Sequence, residues 1–395
     1  MDKTFVPVIA AARNYSYDRS SVRHAFQNLL DKMEPSLPSV IKSGDRVLVK
    51  PFLHYGPHSN FSSRAVSHPE VVAALIEALK DCGALVMLGD EGSKKLRNES
   101  VPLEKQWIHD LAKTSGATLV SFAKTGARHI RSSQHFPRHY LITSAVLDVD
   151  HVVSCANFQP HYVLGMSGAV KNMFNSVVGN RQNHLHELFP NPEDLARIIV
   201  DVCAVTKPSI SFLDLTSVQD PISKGSLQSV GLILAGLDPV ALDAVAVHAV
   251  GWEGSIIPTI TLGEKYGLGC ANLKRIKLSG LDWTELQTIR LDPVPTLVHQ
   301  ADSLYDRITR IINKTVMRPR PIITRGSCTG CGDCQQICPV QAIHQTLDGA
   351  FMINKLDCAD CHICINCCEH DAIELQHLGI RKVVRRLVKR PKASR

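Results

Sequence analysis

Long apolar runs are missing from this chain. No run approaches the roughly 18 to 20 residues that a membrane-spanning helix requires. The first 20 residues also lack the pattern of a secretory signal peptide. We therefore predict a protein without a membrane span, in the cytoplasm, where a reducing compartment suits free thiols and oxygen-sensitive cofactors.

Nucleotide-binding fingerprints are also missing. The chain has no glycine-rich run with the Walker spacing, and no G-x-G-x-x-G motif follows a predicted strand. Neither a nucleoside triphosphate loop nor a flavin or NAD fingerprint is therefore present. Any redox cofactor must be bound by other residues.

Acidic residues are absent from residues 381–395, which contain eight lysines or arginines. Because the whole chain has a net charge of +7, the remaining residues are close to neutral. One interpretation of the tail, residues 379–395, is a flexible, solvated end. The other is a docking patch for an acidic partner, a nucleic acid or a membrane surface. No aromatic residues interleave the basic ones, which disfavours nucleic acid.

The cysteines carry the strongest signal in the sequence, because eight of the 13 form a repeated C-x2-C-x2-C-x3-C motif. This spacing is typical of ferredoxins with two 4Fe-4S clusters, in which the fourth ligand of each cluster comes from the other motif. We predict that one cluster is bound by Cys328, Cys331, Cys334 and Cys368. We predict that the other is bound by Cys358, Cys361, Cys364 and Cys338.

The second motif contains adjacent cysteines at 367 and 368. Alignment of Ala342-Ile343 with Ala372-Ile373 places Cys368 opposite Cys338, which leaves Cys367 as the spare thiol. Glu369 stands where the first motif has Pro339, so the turn there is less rigid. The alternatives are zinc knuckles or a disulfide framework. Zinc sites usually have two close thiolate pairs separated by a longer spacer, whereas this run of four thiolates is repeated.

Upstream of the cysteines, predicted strands alternate with helices. Strands are predicted at 151–157, 209–216 and 230–237, and helices at 21–33, 168–178 and 191–205, among others. The first of these helices has Ser20 or Ser21 as its predicted N-cap. This alternation predicts an α/β body with a parallel sheet, built as one domain or as two subdomains. We predict the domains 1–317 (α/β), 318–378 (a small α+β ferredoxin-like domain) and 379–395 (basic tail).

Several strings resemble the family catalogued as domain of unknown function 362. They are VLVKPFL from Val47, HPEVVAALIEAL from His68, the LGD that ends at Asp90, GMSGAVKNMFN from Gly165 and LILAGLDPVALDAVA from Leu232. The resemblance covers nearly the whole chain, and such proteins often end in a two-cluster ferredoxin module. It implies an α/β core with distant similarity to the lactate-racemase fold and a redox role, but no defined reaction. The chain departs from the family where Gln159-Pro160-His161 replaces the frequent Lys-Thr-His.

The loop from Gly165 to Asn172 is the first candidate site in the α/β body. Small residues that lead into a helix expose backbone N–H groups, and Lys171 adds a positive charge one turn later. We predict that Gly165, Gly168, Asn172 and Lys171 bind an anionic carboxylate or phosphate. The alternative is an ordinary helix start with a surface lysine, because glycines alone are weak evidence.

The second candidate site lies where predicted strands end. In open parallel sheets, ligands bind beyond the carboxyl ends of the strands. We therefore predict a shared crevice, with His54 or His161 as the proton donor. The predicted strand-end residues are Lys50, Asp90, Asp214 and Asp238.

Each of these residues also has a structural interpretation. A single histidine is most often only a satisfied polar residue, and Asp238 is more typical of a helix cap than of a catalyst. Asp243 could face either the crevice or solvent. His184-Leu185-His186-Glu187 could bind a metal but is more often a loop.

These observations favour an iron–sulfur oxidoreductase. Electrons from a soluble low-potential donor, of the ferredoxin or flavodoxin type, would reach a small anionic substrate in the α/β body. Lys50, His54, His161 and Lys171 would act in catalysis. One alternative is an electron-relay protein that serves a partner enzyme. The other is a redox-neutral isomerase or lyase with structural clusters, which rests on fold analogy alone.

Overall fold

The structure is a computed structural model, and it separates the chain into two compact units. One contains Met1–Val178 and Asn191–Leu297, and the other contains Gly179–Pro190 and Val298–Arg395. The predicted domain boundary at 317 falls within 295–319, outside the described residues. The described residues are 6–53, 66–90, 103–122, 124–132, 139–161, 163–178, 185, 189, 191–220, 226–287, 289–294, 320–336, 338, 341–358, 364–365, 368 and 370–376.

Strands and helices alternate along the first unit, as predicted. The elements of both units are numbered together in chain order. The strands are β1 (Val8–Arg13), β2 (Arg46–Pro51), β3 (Leu85–Leu88), β4 (Thr118–Leu119), β5 (Ala127–Arg131), β6 (His139–Thr143), β7 (His151–Asn157), β8 (Gln159–His161), β9 (Gly165–Ser167), β10 (Ile210–Gln219), β11 (Leu227–Gly236), β12 (Lys277–Ser279), β13 (Arg320–Ile323), β14 (Ile343–Gln345), β15 (Phe351–Ile353) and β16 (Ile373–Gln376). The α-helices are α1 (Arg19–Leu30), α2 (Leu37–Val40), α3 (Pro69–Asp81), α4 (Leu103–Ser115), α5 (Ser144–Leu147), α6 (Ala169–Asn172), α7 (Pro192–Thr206), α8 (Pro239–Ala249), α9 (Pro258–Lys265), α10 (Trp283–Leu286) and α11 (Asp333–Gln336).

The large sheet has eight strands in the order β12-β1-β11-β10-β7-β2-β3-β4. Strand β11 is antiparallel to both of its neighbours, β1 and β10, and every other pairing in the sheet is parallel. The reversal follows from the short connection between Gln219 and Leu227, because a short link can join only antiparallel neighbours. Strands β2 and β7 are buried almost along their whole length, as expected of central strands that are covered on both faces.

Helices cover both faces of this sheet. Helices α1 and α3 contribute Phe26, Leu29, Leu75 and other apolar side chains to one core cluster, which also contains alternate residues of β2, β7 and β10. Helix α8 packs against β10 and β11, and α6 packs against β7. The body is therefore a three-layer α/β fold, and the predicted fold class is confirmed.

Helix starts follow the local sequence, with two corrections. The N-cap of α1 is Asp18, whose carboxylate accepts the N–H of Ser21, so the prediction of Ser20 or Ser21 was wrong. The helix predicted at 168–178 is broken into α6 and a 3-10 turn, Met173–Ser176. Elsewhere Pro69 and Pro239 occupy first helical positions, where proline's missing N–H costs nothing.

The C-terminal unit contains two small antiparallel sheets, β13–β16 and β14–β15. Ile323 pairs with Ile373 in the first sheet, and Ile353 pairs with Ile343 in the second. Ile353 thus lies 30 positions after Ile323, and Ile373 lies 30 positions after Ile343, so the two pairs are equivalent. The described residues contain no helix long and apolar enough to cross a membrane.

Candidate functional site

The 30-residue repeat of the C-terminal unit extends to its backbone hydrogen bonds. The N–H of Thr324 donates to Ala372 O at 2.7 Å, and the N–H of Asn354 donates to Ala342 O at 2.7 Å. The two halves therefore hold their cysteine loops in the same way. In each case, a residue of one half donates its N–H to a carbonyl oxygen of the other half.

The fourth cysteine of each motif has an equivalent environment. The N–H of Ala342 lies 3.2 Å from Cys338 Sγ, and the N–H of Ala372 lies 3.2 Å from Cys368 Sγ. Backbone N–H groups directed at sulfur stabilise a ligating thiolate. Cys368 therefore has the same position as Cys338, as the alignment predicted, while Cys367 lies outside the described residues.

Four cysteines from both motifs line one cavity. Three come from the first motif, and the fourth, Cys368, comes from the second. Burial raises the pKa of the Cys334 thiol to about 11, and the neighbouring thiols of Cys331, Cys328 and Cys368 add to the effect. Such a group of sulfurs is stable as thiolates only when bound iron compensates their charge, so the donor set fits an iron–sulfur cluster.

The second predicted ligand set is described in part. Cys364 belongs to the apolar core of this unit, and Cys338 and Cys358 pack against that core. Ile343, Phe351 and Ile353 belong to the same core. Cys361 lies outside the described residues, so its predicted role stays a prediction.

In the α/β body, the chain changes direction between β2 and β7. These strands are adjacent in the sheet, but β2 leads through α3 to β3 on one side. Strand β7 leads through α6 and α7 to β10 on the other side. A crevice forms beyond the carboxyl ends of strands at such a switch point, and ligands bind there in open α/β sheets.

Lys50 and Asp90 lie at this edge as a fully buried ion pair. Lys50 Nζ lies 2.7 Å from Asp90 Oδ1 and donates to Asn172 Oδ1 at 3.1 Å. The other oxygen of Asp90 accepts the N–H of Leu53 at 2.8 Å and the side-chain amide of Asn175 at 3.3 Å. Lys50 and Asp90, two of the four predicted strand-end residues, are thus brought together, but their polar atoms are directed at one another.

Asn172 connects three elements of the body. Its amide donates to the Lys50 carbonyl oxygen at 3.0 Å and to Ser154 Oγ at 2.9 Å, while its oxygen accepts from the lysine. The side chain, which we predicted to bind substrate, is therefore used to join α6 to β2 and β7. Sequence reasoning missed Ser154 and Asn175; Asn175 lies one turn after Asn172, which is the only sequence signal for it.

The predicted anion site at the start of α6 is occupied by the chain itself. Asp243 of α8 accepts the N–H groups of Ala169 at 2.7 Å and Val170 at 3.1 Å. Gly168 is required because a Cβ there would overlap this carboxylate. The prediction that Gly168 helps to bind an external anion is therefore wrong, and Asp243 faces neither crevice nor solvent.

Gly165 also has a structural role. Its φ of 80° lies in the left-handed region, and a Cβ would lie 2.5 Å from Ile257 Cδ1. Both constraints select glycine without any ligand. The predicted substrate contact at Gly165 has no support in this geometry.

Asp238 lies at the opposite edge of the sheet from Lys50. It follows β11, which runs against its neighbours, and the last residue of β11, Gly236, pairs with Ile9 and Ser211 near the starts of their strands. One carboxylate oxygen accepts N–H groups of α8, and the other accepts the N–H of Cys270 at 2.9 Å. Burial raises the pKa of Asp238. The residue is a helix cap, and its predicted place in the shared crevice is wrong.

Asp214 belongs to a separate polar group in the middle of β10, where it pairs with Asn157, the last residue of β7, so its predicted position at the end of its own strand is wrong. Its carboxylate accepts the Tyr17 hydroxyl at 2.9 Å and the N–H of Thr216 at 2.8 Å. The Tyr17 ring stacks on the His68 ring, with centroids 4.1 Å apart. Sequence reasoning missed Tyr17, because it is 197 residues away from Asp214 in the chain.

The histidines proposed as proton donors are only partly described. His161 is part-buried in β8, and its Nδ1 accepts the N–H groups of Val163 and Leu164, both at 3.2 Å. In the neutral ring the proton therefore resides on Nε2. His54, His184, His186 and Glu187 lie outside the described residues.

Lys171 differs from the other predicted site residues. Its Nζ lies 5.8 Å from the centroid of the Phe52 ring, which follows β2 at the switch point. Among the described residues, no carboxylate forms an ion pair with it. Burial and the positive charge of Lys50 lower the pKa of Lys171 to about 8. In the part of the chain that the structure describes, this edge of the sheet therefore has an amine without a carboxylate partner.

Family comparisons match both units. The family described as "Domain of unknown function (DUF362)" matches residues 47–248. The family described as "4Fe-4S dicluster domain" matches residues 327–373. The second match shows an iron–sulfur domain of the ferredoxin type and does not support the zinc and disulfide alternatives.

Two curated proteins are similar to parts of the chain. The thylakoid-associated protein sll1697 of Synechocystis is 27% identical over 266 residues, which is 67% of this chain and 80% of that protein. Pyruvate synthase subunit PorD of Methanocaldococcus jannaschii is 37% identical over 79 residues, which is 20% of this chain and 92% of that subunit.

Similarity to solved structures is weak. The lactate racemase apoprotein of Thermoanaerobacterium thermosaccharolyticum aligns with a TM-score of 0.40 and 13% identity, over 59% of this chain and 54% of that one. A Thermotoga maritima protein aligns with a TM-score of 0.33 and 11% identity, over 51% of each chain. The chain thus spans about half the length of either structure.

Proposed function

Since this chain belongs to the DUF362 family and carries a 4Fe-4S dicluster domain, we propose that it is an iron–sulfur oxidoreductase. Low-potential electrons would enter through two 4Fe-4S clusters and reduce a small anionic molecule bound at the carboxyl edge of the α/β sheet. The observation that supports this most is the cavity lined by Cys328, Cys331, Cys334 and Cys368. It joins ligands from both motifs, as a two-cluster module requires.

In the C-terminal unit, the protein supplies ligands, their orientation and an apolar core beside them. The clusters, when bound, supply one-electron transfer. The N–H groups of Ala342 and Ala372 fix the sulfurs of Cys338 and Cys368, each in the same orientation. Cys334 and Cys364 are buried in the apolar core, whereas Cys331 is exposed. Hydrogen bonding to sulfur and burial are the factors through which a protein sets cluster potentials.

In the α/β body, we assign binding and proton transfer to different residues. The ion pair of Lys50 and Asp90, fixed by Asn172, keeps the ends of β2 and β3 together. Lys171 provides the positive charge for an anionic substrate, because no carboxylate of the described residues forms an ion pair with it. His54 is the proposed proton donor, and the neutral ring of His161 would donate a hydrogen bond from Nε2 to the substrate.

The test is electron transfer from the reduced clusters to candidate acceptors. The full chain is reconstituted anaerobically, and its iron content is expected to reach about eight atoms per chain, four for each cluster. Reoxidation of the reduced protein is then followed with a panel of small carboxylates, phosphates and carbonyl compounds. We expect at least one acceptor to accelerate reoxidation in the wild type and less in Lys171→Met. Zinc in place of iron, or no acceptor that accelerates reoxidation, would contradict the proposal.

An electron carrier for a partner enzyme is the second candidate. It is supported by the similarity of 37% to a subunit of pyruvate synthase over 92% of that subunit's length. In this case the basic tail, residues 379–395, would dock an acidic redox partner of the ferredoxin or flavodoxin type. Deletion of 379–395 should then slow electron transfer at low salt and have little effect at high salt, because screening removes long-range steering. A rate that the deletion leaves unchanged at both salt concentrations would count against the docking role.

A further inference from the structure

Two lysines lie near the switch point of the sheet, and their surroundings differ. Lys50 is fully buried and is neutralised by Asp90 at 2.7 Å. Lys171 is part-buried and lies over the ring of Phe52, itself 6% exposed. An aromatic face stabilises an ammonium group only weakly, by about 0.5 to 2 kcal/mol. Lys171 therefore lacks the strong stabilisation of its charged form that Lys50 has.

Among the residues that the structure describes, the titratable groups on the elements around Lys171 bind other partners. On β2 and after β3, Lys50 and Asp90 bind each other, and on α8 Asp243 accepts the N–H groups of Ala169 and Val170. The carboxylates close to α6 are thus not directed at Lys171. Burial and the Lys50 charge lower the pKa of Lys171 to about 8. A desolvated lysine next to a second cation is the usual arrangement of an amine that acts as a nucleophile at neutral pH.

We propose that Lys171 is such a nucleophile and that its Nζ condenses with the carbonyl group of a small molecule bound at this edge of the sheet. The amine lone pair forms a bond to the carbonyl carbon, and the C=O π bond breaks. Proton transfer and loss of water then give a C=N bond. No electron enters or leaves in this step, so it needs neither an oxidant nor a reductant.

This inference rests on the proposed function only for the location of the bound molecule. It narrows the substrate class from small anions to small carbonyl compounds, with a carboxylate where the molecule is also anionic. The role of Lys171 changes as well: its Nζ forms a covalent bond to the substrate instead of only attracting the substrate's negative charge.

The experiment traps the C=N bond by reduction. The reconstituted, oxidised full chain is incubated with glyoxylate and a limiting amount of sodium cyanoborohydride, and each lysine's carboxymethylation is measured by peptide mass spectrometry. Propanal serves as a neutral carbonyl probe. Lys274, on an exposed 3-10 turn, is the comparison lysine within the same chain. Lys171→Arg is the matched variant, because it keeps the charge and removes the nucleophile.

We expect Lys171 to react at least about 10-fold faster than Lys274 at pH 8, because an ordinary lysine with a pKa near 10.4 is almost fully protonated there. The rate at Lys171 should reach half its maximum near pH 8. In Lys171→Arg the fast modification should disappear without a new fast site. Equal rates at Lys171 and Lys274, or a rate at Lys171 that rises only above pH 10, would overturn the inference.

The outcome is independent of the redox proposal, because trapping uses oxidised protein. Fast trapping at Lys171 together with acceptors that never reoxidise the clusters would support the amine role and reject the oxidoreductase. Slow trapping together with acceptor-dependent reoxidation would reject the amine role and support Lys171 as a charge alone.

Discussion

In the C-terminal unit, cysteine sulfurs from both motifs face a common cavity, whereas in the α/β body Lys50, Asp90 and Asn172 face one another. The first arrangement leaves donor atoms for a bound group. The second uses its polar atoms to satisfy the protein's own buried groups, since an unpaired buried charge is costly. Polar residues at strand ends are therefore weaker evidence for a site than ligand atoms that converge on one cavity. Among the described residues of the body, Lys171 is a charged group without a carboxylate ion pair.

The largest expected effect concerns the cysteines. Cys334→Ser removes a ligand from the cavity, so about half of the iron, about four atoms per chain, should be lost. Iron analysis and electron paramagnetic resonance of the reduced protein measure this. Cys367→Ser is the control, because we predict that this thiol is spare. Loss of iron from Cys367→Ser, with full iron in Cys334→Ser, would show that the ligand assignment is wrong.

Breaking the ion pair in the body should cost stability instead. Lys50→Met leaves Asp90 as a buried, unpaired carboxylate, which should lower the free energy of unfolding by about 3 to 5 kcal/mol. Urea denaturation measures the change. The double variant Lys50→Met, Asp90→Asn should recover part of the loss, because it removes the unpaired charge. An unchanged midpoint in Lys50→Met would mean that the pair does not hold the edge together.

Asp243 should make stability depend on pH. Desolvation raises its pKa from 3.8 to about 7, against the hydrogen bonds from Ala169 and Val170, and the nearby Asp238 raises it further. Between pH 3.8 and about pH 7, the Asp243 carboxyl group is mostly ionised in the unfolded chain but still protonated in the folded protein. The contribution of Asp243 is thus fully present below pH 4 and is lost as the pH rises to about 7.

This loss corresponds to at most about 4 kcal/mol, at about 1.4 kcal/mol per pKa unit. Asp243→Asn cannot ionise, so the difference in free energy of unfolding between variant and wild type should change by that amount between pH 4 and pH 8. The nearby Cys203 thiol, whose pKa burial raises beyond this range, stays protonated throughout. Parallel stability curves for the two proteins would contradict the assignment.

The smallest expected effect separates the two edges of the sheet. Asp238→Asn weakens the cap of α8 and should lower stability by about 1 kcal/mol. It should leave acceptor-dependent reoxidation unchanged, because Asp238 lies at the edge opposite Lys50. Stopped-flow reoxidation of this variant beside Lys171→Met measures the contrast. Equal losses of rate in both would mean that the two edges cannot be distinguished in function.

The sequence predicted the features that local patterns encode. The 30-residue cysteine repeat predicted the pairing of Cys368 with the first motif, and the alternation of strands and helices predicted the α/β layers. It could not predict that β11 runs backwards, because apolar periodicity has no direction, and so Asp238 was assigned to the wrong edge. The Asp243 carboxylate accepts the N–H of Ala169 at the start of α6, although the two residues are 74 positions apart in the sequence. Only the folded chain reveals such a long-range contact.

The most direct test of the central claim is reoxidation of the fully reduced, iron-loaded chain by small carbonyl and carboxylate acceptors, with wild type and Lys171→Met side by side. We expect an acceptor whose reaction rate saturates with concentration in the wild type and falls at least about 10-fold in the variant, while both proteins retain their iron. Saturation reports a bound molecule, and the variant assigns it to the α/β body. Rates that rise linearly with acceptor and are equal in the two proteins would show that the clusters react directly with solution, and the account would be wrong.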